Sequence, residues 1–239
     1  GAGDLDALAF NDAIQSLWAS FSTDADHESI SASLTVLKRN FEPAVKLMTD
    51  AVRRPRFDPG DWDRVKRVHL DELRQQAEEP TVVVARVASR VFFGKDHAYG
   101  WPSDGTLETV ESIRLEDIRR EYATLVRPEF ATVLIAGDIS AGEARDLLER
   151  TLGDWEPRPR TITAAPTAQR SPSTELRVYV VDRPEAVQTV IRFMLPGPTF
   201  NNERRVPHRL LNTLLGGSFT SRLNMNLREV HGYTYGARS

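Results

Sequence analysis

Apolar residues recur along this chain in two periods, and the changes of period mark out its elements. From Asp4 to Ala19, the positions Leu5, Leu8, Ala9, Asp12, Ala13 and Leu17 lie on or near one face of a helix, with polar residues between them. Between Ser20 and Val36 the period falls to two. Phe21, Thr23 and Ala25 come first, and then Ser29, Ser31, Ser33 and Thr35 alternate with Ile30, Ala32, Leu34 and Val36, which predicts a β-hairpin. Asn40 is placed to cap a helix running to Ala51, with Glu42 in its first turn and Phe41, Ala44, Val45 and Met48 as its apolar set; Pro55 ends it. Asp58-Pro59 opens a long helix whose apolar face takes Trp62, Val65, His69 or Val68, and Glu72-Leu73. Glu79-Pro80 interrupts it, and a further helix is predicted from Thr81 to Phe92. Gly94 to Thr106 is a loop rich in glycine and aromatic residues, and Leu115 to Leu125 returns to the helical period.

Ala131 to Ala136 is a short apolar run between Pro128 and Gly137-Asp138, the pattern of a buried strand, and Ala141 to Leu152 reads as a helix. Arg158 to Ser173 is rich in proline, threonine and alanine without periodicity, the signature of a linker. Strands are then predicted at Arg177 to Asp182 and Val187 to Leu195, the second closed by Pro196-Gly197-Pro198, followed by a helix from Pro207 to Leu215. Gly216-Gly217-Ser218 permits a sharp turn. Thr220 or Ser221 then caps a helix that buries Leu223, Leu227 and Val230, Gly232 stops it, and Tyr233-Thr234-Tyr235 enters a strand. The order helix, turn, strand at Asp4 to Val36 returns at Arg204 to Ser239, which predicts a duplicated unit whose second copy stops after its first strand residues. The expected fold is therefore α+β, an α/β sandwich of tandem duplicated domains in which an antiparallel-rich sheet packs against helices. Its divisions are residues 1–160, a linker at 161–174, and the start of a second domain at 175–239.

Composition narrows the function classes. The chain is 40% hydrophobic and 27% charged, with 31 basic against 34 acidic residues and a net charge of -3, so nothing draws it generally to nucleic acid or an anionic membrane. It has no cysteine, which removes disulfides and thiolate chemistry. No apolar run has the length to span a bilayer, so the chain is not expected to be transmembrane. Its start, Gly-Ala-Gly, reads as an interior stretch or a processed beginning. The five histidines, at 27, 69, 97, 208 and 231, form neither a His-x-x-x-His pair nor a His-x-x-Glu-His motif, so no metal site is completed locally. His97 beside Tyr99 and Trp101 reads as a loop-packing residue, and His27 with Asp24 and Asp26 as polar surface. Glu72 lies on a helix expected to be partly buried, where a carboxylate needs a partner: an arginine such as Arg74, a neighbouring chain, or a metal. Arg228 near a helix end and Tyr235 beyond the turn supply a guanidinium and a phenol, both donors to a peptide carbonyl. The same residues are equally compatible with an Arg228 ion pair to Glu229 or Glu203 and with Tyr235 packed on a sheet.

Three stretches resemble the pitrilysin/insulinase family of zinc peptidases, which includes the mitochondrial processing peptidases. They are LLNTLLGGSFTSRLNMNLREVHGYTYGARS, HAYGWPSDGTLETVESIRLEDIRREYATLVRPEFATVLIAGDIS and VYVVDRPEAVQTVIRF, and they follow the family's order essentially from end to end. The resemblance implies homologous metallohydrolase-type domains in half-shells that close around an unfolded peptide. It also implies that both copies here are truncated, the first lacking an N-terminal strand and helix that carry the zinc motif. The family's zinc is held by His-x-x-Glu-His and a distal glutamate, and Glu72 in VHLDELRQ matches that distal position. Active members usually carry a second glutamate seven residues earlier, where this chain has Val65. The opening GAGDLDALAFNDAIQSL is more similar to non-catalytic partners, in which an arginine and a tyrosine seven residues apart grip the substrate backbone; Arg228 and Tyr235 match that pair. The implied protein is a substrate-binding, non-catalytic subunit or half of a zinc endopeptidase. Zinc would belong to the complete complex and not to this chain, the partner would be a homologous zinc-bearing subunit or a second copy, and the substrate a peptide. A periplasmic or secreted bacterial location is implied, with the cytoplasm as the alternative. Two other readings stand beside it: a truncated catalytic subunit with Glu72 as distal zinc ligand, and a scaffold that has kept only the fold.

Overall fold

The computed structural model describes residues 1–157, 175–184 and 186–239 of the chain. Two compact units divide it, Gly1–Arg192 and Phe193–Ser239. Helices dominate both, and the sheet among the described residues is one antiparallel pair of strands. The linker expected at Arg158 to Ser173 lies outside the described residues. Among the described residues no helix is long and apolar enough to cross a membrane.

In the first unit, helix α1 (Ala7–Ser16) is capped by Asp6, whose carboxylate accepts the Ala9 N–H at 2.8 Å. Strands β1 (Ser20–Ala25) and β2 (Ile30–Thr35) form the expected hairpin, in register from Ser20 opposite Thr35 to Ala25 opposite Ile30. Asp26 closes its turn by accepting the backbone N–H groups of Glu28 and Ser29, each at 2.7 Å, and these bonds hold its carboxyl below the ordinary range. Helix α2 (Phe41–Arg53) follows a short 3₁₀ turn. Asn40 stands at its N-cap position but does not cap it: its side-chain amide donates instead to the Leu17 carbonyl at 2.9 Å, tying the end of α1 to the start of α2. Helix α3 (Pro59–Glu78) begins as expected, with Asp58 accepting the Asp61 N–H and Pro59 in the first turn. It stops because Glu79 precedes a proline and turns extended, and α4 (Pro80–Phe93) starts at that proline.

Helix α5 (Leu107–Ser112) is an element the periodicity misses; six residues are too few to show a period, and its capping box uses Thr106 and Thr109. Lys66 closes its far end by donating to the carbonyls of Glu111 and Ile113 at 2.9 and 2.8 Å. Helix α6 (Leu115–Leu125) and helix α7 (Ala141–Leu152) follow, the latter opened by a reciprocal Ser140–Glu143 box. Arg53 on α2 donates to the Thr151 carbonyl and pairs with Asp154 beyond α7, at 2.8 and 2.6 Å. Among the described residues, Ala2, Ile14, Ala44, Val45, Leu73, Val110, Leu115 and Leu147 are the buried apolar ones.

Three expected strands are absent. Ala131 to Ala136, Arg177 to Asp182 and Val187 to Leu195 run without strand pairing, and their apolar side chains face outward, with Leu134 91% and Val187 97% exposed. The apolar runs are real, but a strand exists only where a second strand takes its N–H and C=O groups, and none does so among the described residues.

In the second unit, helix α8 (Arg205–Asn212) continues into a π-helical turn at Thr213–Gly217, and α9 (Arg222–Asn224) into another at Met225–Val230. Val230, at the end of the wider turn, is exposed, and Ser221 and Asn224 before it are buried. Tyr233 to Tyr235 forms no strand.

Two consequences are measurable. Leu73 is 1% exposed, so Leu73→Ala is expected to cost about 2–5 kcal/mol, read from the shift in urea midpoint. The Tyr122 hydroxyl donates to the Val52 carbonyl, its ring meets Phe57 edge-on at 5.1 Å, and burial pushes its phenol up to about 12. The folded chain thus holds this proton more tightly than the unfolded one. Its contribution is complete below about pH 10 and is lost as pH rises through about 12. Urea titrations between pH 9 and 12 should show a steeper alkaline loss for the parent than for Tyr122→Phe; equal slopes would refute the assignment.

Candidate functional site

Glu72 stands on α3 one turn beyond His69. The helix presents it to solvent, its side chain 59% exposed, so the partly buried placement expected from the sequence is corrected: Leu73 next to it takes the buried face. Its partner is His69, Nδ1 to Oε2 3.6 Å, and not Arg74, which pairs with Asp71 at 2.6 Å and Glu111 at 3.8 Å. The other ring nitrogen, Nε2, lies 2.8 Å from the Asp104 carbonyl. A carbonyl only accepts, so Nε2 is the nitrogen that donates there, and Nδ1 is the one on the Glu72 side.

Asp104 belongs to the glycine- and aromatic-rich loop, which is fixed from several sides. The Trp101 ring lies under the Arg90 guanidinium at 3.5 Å, and its N–H donates to the Lys95 carbonyl at 2.8 Å. His97 packs against Phe93 and Tyr99, and its Nδ1 accepts the Tyr99 N–H, so it is the packing residue the sequence suggested. His27 is less free than its polar neighbours imply: Nε2 meets the Trp101 carbonyl at 2.8 Å and the ring meets Tyr99 edge-on.

Arg228 and Tyr235 both lie in the second unit. Arg228 is carried by the π-helical turn, with its guanidinium over the Phe219 ring at 4.3 Å and Nε 3.6 Å from Glu229. Gly232, at φ 64°, then reverses the chain; its N–H reaches the Arg228 carbonyl and the Tyr233 N–H reaches Leu227 at 2.8 Å. That closure is one residue wider than a Schellman cap, as a π turn requires. His231 and Tyr233 stack at 5.0 Å. Tyr235 occupies the apex of a bend, because the Thr234 hydroxyl donates to the Gly236 carbonyl and accepts the Gly236 N–H at 3.0 and 3.2 Å. Its ring is 87% exposed, and among the described residues no hydrogen bond joins it to Arg228.

The connection runs through residues that sequence reasoning missed. Asn224 is 7% exposed. Its amide donates to the carbonyls of Ser218 and Ala237 at 3.0 and 2.9 Å, and its oxygen accepts the Ala237 N–H at 2.9 Å. Asn212 and Ser239 exchange a second pair of bonds, 2.7 and 3.3 Å. Gly216 permits this closeness: a Cβ there would lie 2.4 Å from the Ser239 hydroxyl oxygen. The one signal available in the sequence was an asparagine in the apolar period of Leu223 and Leu227.

A family model described as "Peptidase M16 inactive domain" matches residues 112–239. The chain belongs to the peptidase M16 inactive-domain family. The M16 assignment agrees with the resemblance carried by LLGGSFTSRLNMNLRE and the stretches before it. Among curated relatives, the "uncharacterized zinc protease YmxG" of Bacillus subtilis is 26% identical over 204 residues, 85% of this chain and 48% of that protein. The "non-peptidase homolog YmxG" of Helicobacter pylori is 21% identical over 239 residues, 98% of this chain and 53% of that protein. The chain thus spans about half the length of the curated relatives it matches. Of solved structures, a peptidase M16 inactive domain from Pseudomonas fluorescens superposes with a TM-score of 0.78 at 22% identity, over 99% of this chain and 57% of that one. A protease from Helicobacter pylori gives 0.81 at 15% identity, over 100% and 57%. At these identities the likeness is one of M16 fold.

Relatives named as zinc proteases make zinc a property of the family. The residues of this chain do not complete a zinc centre: among the described residues no group of three or more His, Cys, Asp or Glu stands together, and His69 with Glu72 is a pair. Because Glu72 is exposed, Glu72→Gln is expected to move stability by no more than about 0.5 kcal/mol. A larger drop in the urea midpoint would mean that the His69 contact is structural.

Proposed function

We propose that this chain is the substrate-binding, non-catalytic part of a zinc metalloendopeptidase, and that Arg228 and Tyr235 hold the backbone of a peptide substrate. The observation that carries the reading is the manner of their presentation. Tyr235 is pushed out at the apex of a doubly pinned bend, and Arg228 is held by a ring stack and a long ion pair with its side chain 36% exposed. A guanidinium and a phenol together satisfy the carbonyls of an extended peptide, whose own hydrogen-bonding groups are unspent. The family's description as inactive and the name of the Helicobacter pylori homologue support placing the metal chemistry elsewhere.

In this reading a homologous zinc-bearing subunit, or a second copy, completes the peptidase. Residues 1–160 form a first metallohydrolase-type domain, 161–174 link it to a homologous second domain beginning at 175, and the two descend from a duplication. The location is periplasmic or secreted bacterial. Glu72 occupies the family's distal-glutamate position, so a catalytic half with Glu72 on zinc is the reading to be separated from this one.

The test uses the full-length protein assembled with its partner and an internally quenched fluorogenic peptide. Arg228→Ala should raise KM about 10- to 100-fold and Tyr235→Phe roughly fivefold, the differences expected for a charged and a neutral hydrogen bond, with thermal midpoints unchanged. Unchanged turnover in both variants would end the proposal. Zinc measured in the separately purified full-length protein should be absent, and Glu72→Gln should not alter it; zinc that is lost on Glu72→Gln would establish the catalytic alternative.

A further inference from the structure

The Arg228–Tyr235 pair sits on two segments of irregular backbone, and among the described residues no hydrogen bond joins the two. Something must set the distance between them, because a two-point grip works only at the spacing of the groups it holds. Asn224 is placed to do so. It begins the helical turn that carries Arg228, four residues before it, and its carboxamide engages both backbone groups of Ala237, two residues after Tyr235. An N–H donated and an N–H accepted at a single residue is what a neighbouring strand would supply. Here one side chain supplies it, from inside the fold. The third bond, to the Ser218 carbonyl, fixes the carboxamide plane, and the Ser221 hydroxyl oxygen lies 3.2 Å from the same amide nitrogen. Phe219, one residue beyond Ser218, is the ring beneath Arg228. A single buried amide is thus bonded to the segment that bears Tyr235 and to the turn that leads into the ring under Arg228.

We propose that Asn224 is the positioning residue of this pair: its clasp on Ala237 and Ser218 sets the separation and orientation at which the guanidinium and the phenol take successive groups of an extended peptide backbone. This rests on the reading of Arg228 and Tyr235 as a peptide grip. Asn224 itself touches no substrate, since it is enclosed by the segments it joins.

The experiment is a double-mutant cycle in the assembled full-length peptidase with the quenched peptide as probe. Asn224→Ala is chosen because the space it opens lets water reach the freed Ala237 groups. In the parent background it should raise KM roughly fivefold with kcat within about twofold; in a Tyr235→Phe background it should raise KM less than about twofold, because the contact it positions is already gone. A loss of folded protein would do the opposite, lowering apparent kcat and leaving KM alone. Equal effects in both backgrounds, or a folded Asn224→Ala with unchanged KM, would overturn the proposal. If Tyr235→Phe and Arg228→Ala are themselves silent, it is the grip that fails. Should Asn224→Ala not fold, amide exchange of the parent decides: the Ala237 N–H should be protected well above its neighbours, and exchange at the rate of an open chain would refute the clasp.

Discussion

Every backbone N–H and C=O of this chain needs a partner, and a helix finds its partners within itself while an extended segment cannot. That difference organises the molecule. The helices from α1 to α8 close their own ladders and leave only their ends to be satisfied, which Asp6, Asp58, Thr106 and Ser140 do at the starts and Lys66 does at one finish. The hairpin satisfies itself by folding back. Where the chain is extended with no strand beside it, as through the apolar runs at 131–136 and 187–195, it carries sheet-forming sequence without a sheet. Where an extended segment must nonetheless be fixed, side chains take over, and the last four residues are held that way by Asn212 and Asn224.

The same distinction decides what could be read from the sequence. Helices with a long apolar period and local punctuation were legible nearly to their ends: Asp58-Pro59 and Glu79-Pro80 fall where the chemistry of helix ends puts them, and the Ala141–Leu152 helix has the bounds its pattern gave. The hairpin was legible because alternation is a local signal as well. The strands at 131–136, 177–182 and 187–195 were not, since apolar content reports a wish for burial and is silent about whether a partner strand exists. Asn40 shows the limit on a smaller scale. Its position was right and its bond was wrong, because an amide that reaches the Leu17 carbonyl gains a tertiary contact that no local rule weighs against a cap.

The candidate site divides in the same way. Arg228, Tyr235 and the stop at Gly232 were visible as types and spacings, and Glu72 as a carboxylate on a long helix. Their surroundings were not visible. Periodicity buried Val230 and Glu72, whereas Val230 is exposed at the end of the π turn and the true face of α3, centred on Leu73, leaves Glu72 exposed. The clasp itself was not legible, because it joins positions 13 residues apart, and an asparagine within an apolar period does not say what it bonds.

A grip built this way has a physical advantage over one built on regular elements. Two residues on one helix or strand inherit the spacing of that element, whereas residues on separate segments take whatever spacing their fastenings impose. In the proposed grip the buried carboxamide of Asn224 would fix that spacing with bonds that are directional and shielded from water, while the glycines at 216 and 232 let the backbone take the path those bonds require. Loss of conformational freedom is then incurred on folding and not on binding, which is the condition under which a few exposed donors hold an otherwise floppy peptide. On the proposed reading, the exposed arginine and tyrosine supply the contacts, and the buried amide that connects their segments supplies the spacing at which those contacts work together.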